Sequence, residues 1–500
     1  MSAGNLFPVP AELGLGADEI AGVTGKPEKT TFLMNSVSYP AWSFSGAEKE
    51  SVAGTIATLP EEWEGIRVEI VVAVGGERKE AKGEAVFRVH LSQDRRESAE
   101  KAEEESHGMP VRTLIKSAAK EVCTIVLESY YGIRSGLPLR LRIERCADDP
   151  ADTCSSPVNL LQVKVSPVKV EGKPEVVQDT PGYNSWPMIQ AIGNTLVCAY
   201  TRGRGHDIGE GCRGVYARTS SDGGKSWTPE TLISNQPDYG EVTIGKGLDS
   251  KGAMLLWVRC CGPVWHHDLY RSADGVTFTR IATPKLDPMP MQITDIFHIP
   301  EIGLMALWFA GNYRDDELNS WGTLISRDNG TTWKQEVIEA KLPKAEWPTE
   351  PSAVYLGNGR ILVIARTECP EESTVRAQFQ LESMDFGKTW TRSRTNIGDV
   401  NLSTPSLILD PETGFLSNYY YHRGTGVLKR RVTTPERILG NPLAWPDPEP
   451  VALASAVFLD AGNVNVTAVH STHFAAYYSG KAPDTAVVVS AIPAPKALIS

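Results

Sequence analysis

An eight-residue pattern, S-x-D-x-G-x-[ST]-W, occurs three times in full between residues 220 and 390 of this 500-residue chain. The copies are Ser220–Trp227 (SSDGGKSW), Ser326–Trp333 (SRDNGTTW) and Ser383–Trp390 (SMDFGKTW). A degraded copy, Ser272–Phe278 (SADGVTF), lies between the first two, so successive starts are 52, 54 and 57 residues apart. The pattern describes a hairpin turn. Ser and Asp side chains bond nearby backbone N–H groups, Gly takes a positive φ, and Trp packs beneath. Strand-like runs precede the full copies at Gly214–Thr219, Thr323–Ser326 and Ala377–Glu382. Several short strands in each period of about 50 residues predict a β-propeller.

Composition narrows the remaining possibilities. A hydrophobic fraction of 41% excludes a disordered chain, and no apolar run is long enough for a transmembrane helix. The start, Met1-Ser2-Ala3-Gly4-Asn5-Leu6-Phe7-Pro8, lacks the basic and apolar regions of a signal peptide. A formal charge of −11 argues against nonspecific binding to nucleic acid or anionic membranes, leaving a local basic pocket as the exception. The eight cysteines contain no CxxC pair. Cys146 and Cys154 are expected to be buried thiols rather than a bridge, which fits cytoplasmic synthesis.

The repeated turns resemble the Asp boxes of the sialidase (neuraminidase) superfamily. That resemblance implies an all-β fold with a six-bladed β-propeller over residues 175–497, the last two blades lacking recognisable boxes. Residues 31–168 carry no box but several alternating runs, among them Ile66–Val74, Glu84–His90, Leu137–Glu144 and Leu160–Val165. With Trp42-Ser43-Phe44, Leu59–Trp63 and Asp148–Thr153 they resemble the jelly-roll β-sandwich modules of bacteriophage tail fibres. Residues 1–30 would then be an attachment segment, residues 164–174 a linker, and the charged run 95–108 a solvated insertion.

A sialidase holds the carboxylate of its sugar with arginines, whose planar paired donors never lose charge. The family also uses a Glu, a Tyr nucleophile and an Asp acid/base. Its first arginine belongs to a Y/F-R-I-P motif. The corresponding stretch here, Tyr183-Asn184-Ser185-Trp186-Pro187, has Asn184 in that place, a departure that suits the phage endosialidase branch better than the exosialidases. The polar segment Arg202–Glu210 offers Arg202 or Arg204 for substrate and His206 or Asp207 for proton transfer. Glu350 and Arg366 stand 16 residues apart on two strands joined by the turn Gly357-Asn358-Gly359, so a hairpin returns them to one end. They match the family's Glu and second arginine. Arg423 is preferred to Arg430 as the third, and Tyr477 or Tyr478 stands where a nucleophile belongs. Asp295, inside an apolar strand, would contact substrate if it faces the centre. Trp308, Trp321 and Tyr313 are taken as blade packing before sugar platforms. The run Trp265-His266-His267-Asp268 has no third ligand near it in sequence, so neither a metal nor a cofactor is expected.

These features predict a glycoside hydrolase acting on sialic acid or a related nonulosonic acid in a cell-surface or capsular polysaccharide. Without the first arginine and an assured nucleophile, inversion by water attack is the preferred mechanism. A noncatalytic glycan-binding propeller and a polysaccharide lyase are the alternatives. The resemblance to tailspikes further implies a homotrimer carried on a phage tail or similar extracellular particle through its N-terminus, here without their C-terminal stalk.

Overall fold

A computed structural model of the chain describes residues 13–16, 23–24, 27–34, 37–45, 50–56, 59–60, 63, 65–74, 83–92, 110–115, 122–131, 139–148, 152–154, 156–167, 170, 172–206, 213–368, 377–400, 402–423, 426–455 and 460–496. They form two compact units, Met1–Lys169 and Val170–Ser500. Both are built almost wholly of antiparallel strands.

The first unit has two sheets. One runs Glu28–Met34, Val37–Phe44, Val158–Pro167, Gly65–Val74, Val122–Tyr131, with Leu13–Gly16 also on Val158–Pro167. The other runs Val23–Thr24, Glu50–Ile56, Leu139–Arg145, Gly83–Ser92, Pro110–Ile115. Period-2 alternation sends one face of each inward. Val68, Ile70, Val72 and Leu160 of the first sheet meet Phe87, Leu141 and Ile143 of the second, all buried. Phe44 and Phe87 meet edge to face at 5.9 Å across the sheets. Cys146 and Cys154 are buried thiols that form no disulfide. Arg145 is fully buried and paired with Asp152 at 2.9 Å, while donating to the carbonyls of Phe44, Cys154 and Ser156. Strands within the first 30 residues thus add to the sheets, and Lys164–Pro167 is strand rather than linker. The charged run 95–108 lies outside the described residues.

The described residues of the second unit form six successive four-stranded antiparallel meanders. Their first strands are Tyr183–Ile192, Gly240–Leu248, Gln292–Ile299, Pro348–Gly357, Pro405–Leu409 and Gly462–Val469. Each of these packs against the next, and the sixth packs against the first, so they form a closed cycle. The second and third meanders share hydrogen bonding through Gly247 and Ile296, giving one continuous eight-stranded sheet. The sixth takes its outermost strand, Pro174–Gln178, from the beginning of the unit, through pairing with Asp484–Pro493. Start and finish are therefore bonded together.

The repeated turns join the third and fourth strands of the first four meanders. In each, the Ser hydroxyl donates to the Asp carboxylate (2.8, 3.1, 2.9 and 3.0 Å in chain order) and accepts the Gly N–H. The indoles of Trp227, Trp333 and Trp390 donate back to the carbonyls of Gly224, Gly330 and Gly387. Gly330 has φ +94°, which a side chain would strain. Ser326→Ala removes one donor and one acceptor from its turn. It is expected to lower the stability of the unit by about 1 kcal/mol, measured by urea unfolding.

Candidate functional site

The first strands are not regular. Their pairing with the second strands breaks at Ser185/Met188, Thr243/Gly245, Ile293/Ile296, Thr349/Ser352 and Gly462/Asn465, at a similar level in five of the six meanders. Bulges re-aim side chains. The displaced residues Trp186, Ile244, Asp295, Glu350 and Asn463, joined by Thr404 of the fifth meander, line one cavity of about 40 Å³. That is room for a few waters. Trp186, Glu350 and Asn463 have φ of +48°, +45° and +46°, a left-handed conformation that side chains of this size adopt only when their surroundings impose it. Three of the positive-φ residues thus lie where the meanders converge.

Glu350 begins its strand and Arg366 ends the next, Arg360–Thr367, so both lie at the end of the meander opposite the Ser–Asp turns. Arg366 binds Glu350 at 2.9 Å through Nη1 and Glu368 at 2.8 Å through Nη2. Thr404 donates to the other Glu350 oxygen, and Thr349 donates to Glu368 at 2.7 Å. Burial works against the charge of Arg366, but the two carboxylates outweigh it and hold its pKa above the ordinary value. Arg366 Nε is buried with no partner among the described residues.

The hairpin therefore brings Glu350 and Arg366 together, as their spacing predicts. Arg423, at the end of Leu416–His422, is buried and acts electrostatically on His206, Tyr421 and Tyr478. Arg430 is elsewhere, bound to Glu449 at 2.7 Å and to the hydroxyl of Tyr419. Neighbours on a strand face opposite ways, and this separates the two tyrosines. The Tyr477 hydroxyl bonds the Leu453 carbonyl and Ser490, within a different packing cluster. Tyr478 packs on Tyr183 and Trp186, within the field of Arg423 and Glu350. Burial raises its pKa to about 12, although Arg423 and a bond from Tyr183 oppose the shift.

Other expectations are redirected. Arg202, on the second strand of the first meander, pairs with Glu230 at 2.8 Å and lies over Tyr216 of the third strand, while Arg204 is exposed. Asn184 donates to the carbonyls of Thr180, Gly182 and Thr485, so it fastens the first meander to the sixth instead of reaching a ligand. Asp295 lines the cavity, but its carboxylate accepts from Ser352 at 2.6 Å and lies beside the half-buried Lys246. Trp308 and Trp321 are fully buried, as blade packing requires. Asp207 lies outside the described residues.

His206 is near Glu350, Arg423 and Arg213. Its Nδ1 lies 3.1 Å from the Tyr183 hydroxyl, which also bonds Asp460 at 3.0 Å. Burial, helped by Arg423, lowers its pKa to about 4. It is neutral at pH 7. A histidine titrates near 6.5 when unfolded, so the unfolded chain binds more protons between the two values. The contribution of His206 is complete above pH 6.5 and declines as pH falls towards 4. NMR of the His206 ring should give a midpoint near 4.

Sequence reasoning missed several members of this end. Arg213 is fully buried and stacks 5.0 Å over Trp186, and Gly203 leaves room for it, since a Cβ there would sit 2.6 Å from its side chain. Arg259 is buried and stacks 4.7 Å over Trp265, beside the buried His267. Tyr313 lies in the field of Arg366 and both carboxylates. Tyr183, Asp460 and Trp186 complete the wall. Among the described residues, four buried arginines (213, 259, 366 and 423) from four meanders gather at this end. Such a group can hold an anion against the −11 of the whole chain.

No protein-family model and no curated protein matches the sequence. Solved structures do match in shape. A protein of unknown function from Dyadobacter fermentans aligns with a TM-score of 0.52 at 18% identity, over 64% of this chain and 99% of that one. The NanB sialidase of Streptococcus pneumoniae aligns with a TM-score of 0.51 at 9% identity, over 88% of this chain and 98% of that one. The phage phi92 endosialidase aligns with a TM-score of 0.48 at 10% identity, over 66% of this chain and 70% of that one. The fold is all-β and sialidase-like.

Proposed function

We propose that the chain is a sialidase-like glycosidase whose second unit cleaves the linkage of a sialic or related nonulosonic acid in a surface polysaccharide. The observation that carries this reading is the convergence of Glu350, Arg366, Arg423 and Arg213, from three meanders, at one end of the unit, where Glu350 also lines the cavity. In it, Arg366 and Arg423 hold the sugar carboxylate and Arg213 adds positive potential over Trp186. Glu350, fixed by Arg366 and Thr404, takes the proton from a water held in the cavity, which attacks the anomeric carbon with inversion. Asp207 is the proposed proton donor to the leaving oxygen. Tyr478 is fully buried and its hydroxyl stays neutral, so it serves as a wall rather than as the nucleophile.

The six meanders, closed by Pro174–Gln178, support reading the second unit as a six-bladed propeller with Asp boxes in four blades. The strand orders of the first unit support a jelly roll. A trimeric, particle-borne depolymerase is the setting we infer for such a pair of modules.

Noncatalytic glycan binding is favoured by a different observation, the occupation of Arg366 by two carboxylates and the replacement of the first family arginine by Asn184. A glycan array run with a reducing-end assay separates the two. The enzyme reading expects sugar release from at least one sialoglycan that the array shows bound. Binding without release from any of them would leave the adhesin.

A further inference from the structure

Away from the arginine group, Glu241, Cys260 and His266 lie in register across three adjacent strands of the second meander. Asp268, two residues after His266, projects from the same face. Cys260 and Asp268 are buried and His266 is partly buried. His266 Nδ1 bonds the Val264 carbonyl at 2.9 Å, so in the neutral ring that nitrogen carries the proton and Nε2 presents a lone pair. This lone pair faces an Asp268 oxygen at 3.6 Å, too far for a hydrogen bond. Cys260 Sγ is 3.9 Å from the same oxygen and 4.0 Å from Glu241.

Donor atoms bound tetrahedrally to zinc at about 2.0–2.3 Å stand roughly 3.3–3.7 Å apart. Here the His266–Asp268 spacing falls in that range, Cys260 Sγ is 3.9 Å from Asp268, and the three donor atoms all lie within 4.8 Å of one another. The backbone bond to His266 is the kind of outer contact that orients a metal-binding imidazole. Around the trio, Gln236 Nε2 lies 2.9 Å from Glu241, 3.1 Å from Asp268 and 3.4 Å from Cys260, three acceptors for two amide protons. Arg280 is 3.2 Å from Asp268, Thr283 donates to the other Asp268 oxygen at 2.5 Å, and Ser234 donates to Glu241 at 2.6 Å.

We propose that Cys260, His266 and Asp268 bind a divalent ion of the zinc type, with Glu241, 4.0 Å from Cys260 but outside the trio, entering as the fourth ligand only after its side chain moves. The donor set of one thiolate, one imidazole and carboxylates suits zinc or cobalt and not magnesium or calcium. Binding replaces the thiol proton, which leaves to solvent. The ion fastens the turn 261–265, and with it Trp265, to the strands that carry Arg259 and His267 on their other face.

The test is titration of the full, metal-stripped chain with Co²⁺, followed by absorption. One equivalent should bind with a thiolate-to-cobalt band in the near ultraviolet and tetrahedral visible bands, and Zn²⁺ should displace it. Cys260→Ser should abolish the thiolate band, and His266→Gln, at a partly exposed position, should weaken binding at least tenfold. If Cys260→Ser does not fold, His266→Gln decides alone. The proposal is overturned if the wild type takes up no stoichiometric cobalt, or if a folded His266→Gln binds as tightly as the wild type. A pH titration showing His266 doubly protonated against Asp268 with added Zn²⁺ present would overturn it equally.

Discussion

Replacing Glu350 by Gln is expected to reduce sugar release by about 10³-fold, with glycan affinity within about threefold of the wild type. Gln keeps the volume of Glu and an oxygen to accept from Thr404, but it cannot take a proton from water. Arg366 retains Glu368 at 2.8 Å, so the substitution leaves a balanced buried pair and not an orphaned guanidinium. The variant should therefore fold. Release by single-turnover assay and affinity by calorimetry read the two effects separately. An equal loss in both would mean that Glu350 binds the sugar rather than acting on it.

Arg366→Met should have an effect of a different kind. It leaves Glu350 and Glu368, both largely buried, with no cation bonded to either among the described residues. Removing one partner of a buried ion pair typically costs about 3–5 kcal/mol, and urea unfolding at pH 7 should find a deficit of that order. Two adjacent carboxylates also oppose each other's ionisation, so one should hold its proton to a higher pH than it does unfolded. The folded variant then binds more protons than its unfolded chain, and its stability rises as pH falls towards about 4.3. A deficit that is small, or that stays constant with pH, would show that Arg366 does not carry this charge balance.

These two residues were legible in the sequence because their relation is local. A hairpin of known turn type sets where Glu350 and Arg366 meet, and the repeated turns give the spacing of the meanders. The choice between Tyr477 and Tyr478 needed only the facing of one strand, but pairing through bulges obscures that facing in a sequence. Arg202 looked suited to the site until the fold placed Glu230, 28 residues later, beside it. Arg213, Arg259 and Asp460 carry no motif at all. Their places follow from closure of the unit, which brings Asp460 against Tyr183 across a separation of 277 residues. The same holds for Cys260 and His266, whose alignment with Glu241 depends on the register of three strands. Asn184 occupies the position of a family arginine, yet its amide nitrogen is engaged in joining the first and sixth meanders.

The central claim is that the buried arginines read the carboxylate of a nonulosonic acid. It is tested most directly by comparing a bound sialoglycan with the same glycan after methyl esterification of that carboxylate. The account predicts affinity and release at least about 100-fold lower for the ester, corresponding to about 2.7 kcal/mol of lost charge-assisted bonding. Equal handling of acid and ester would contradict it.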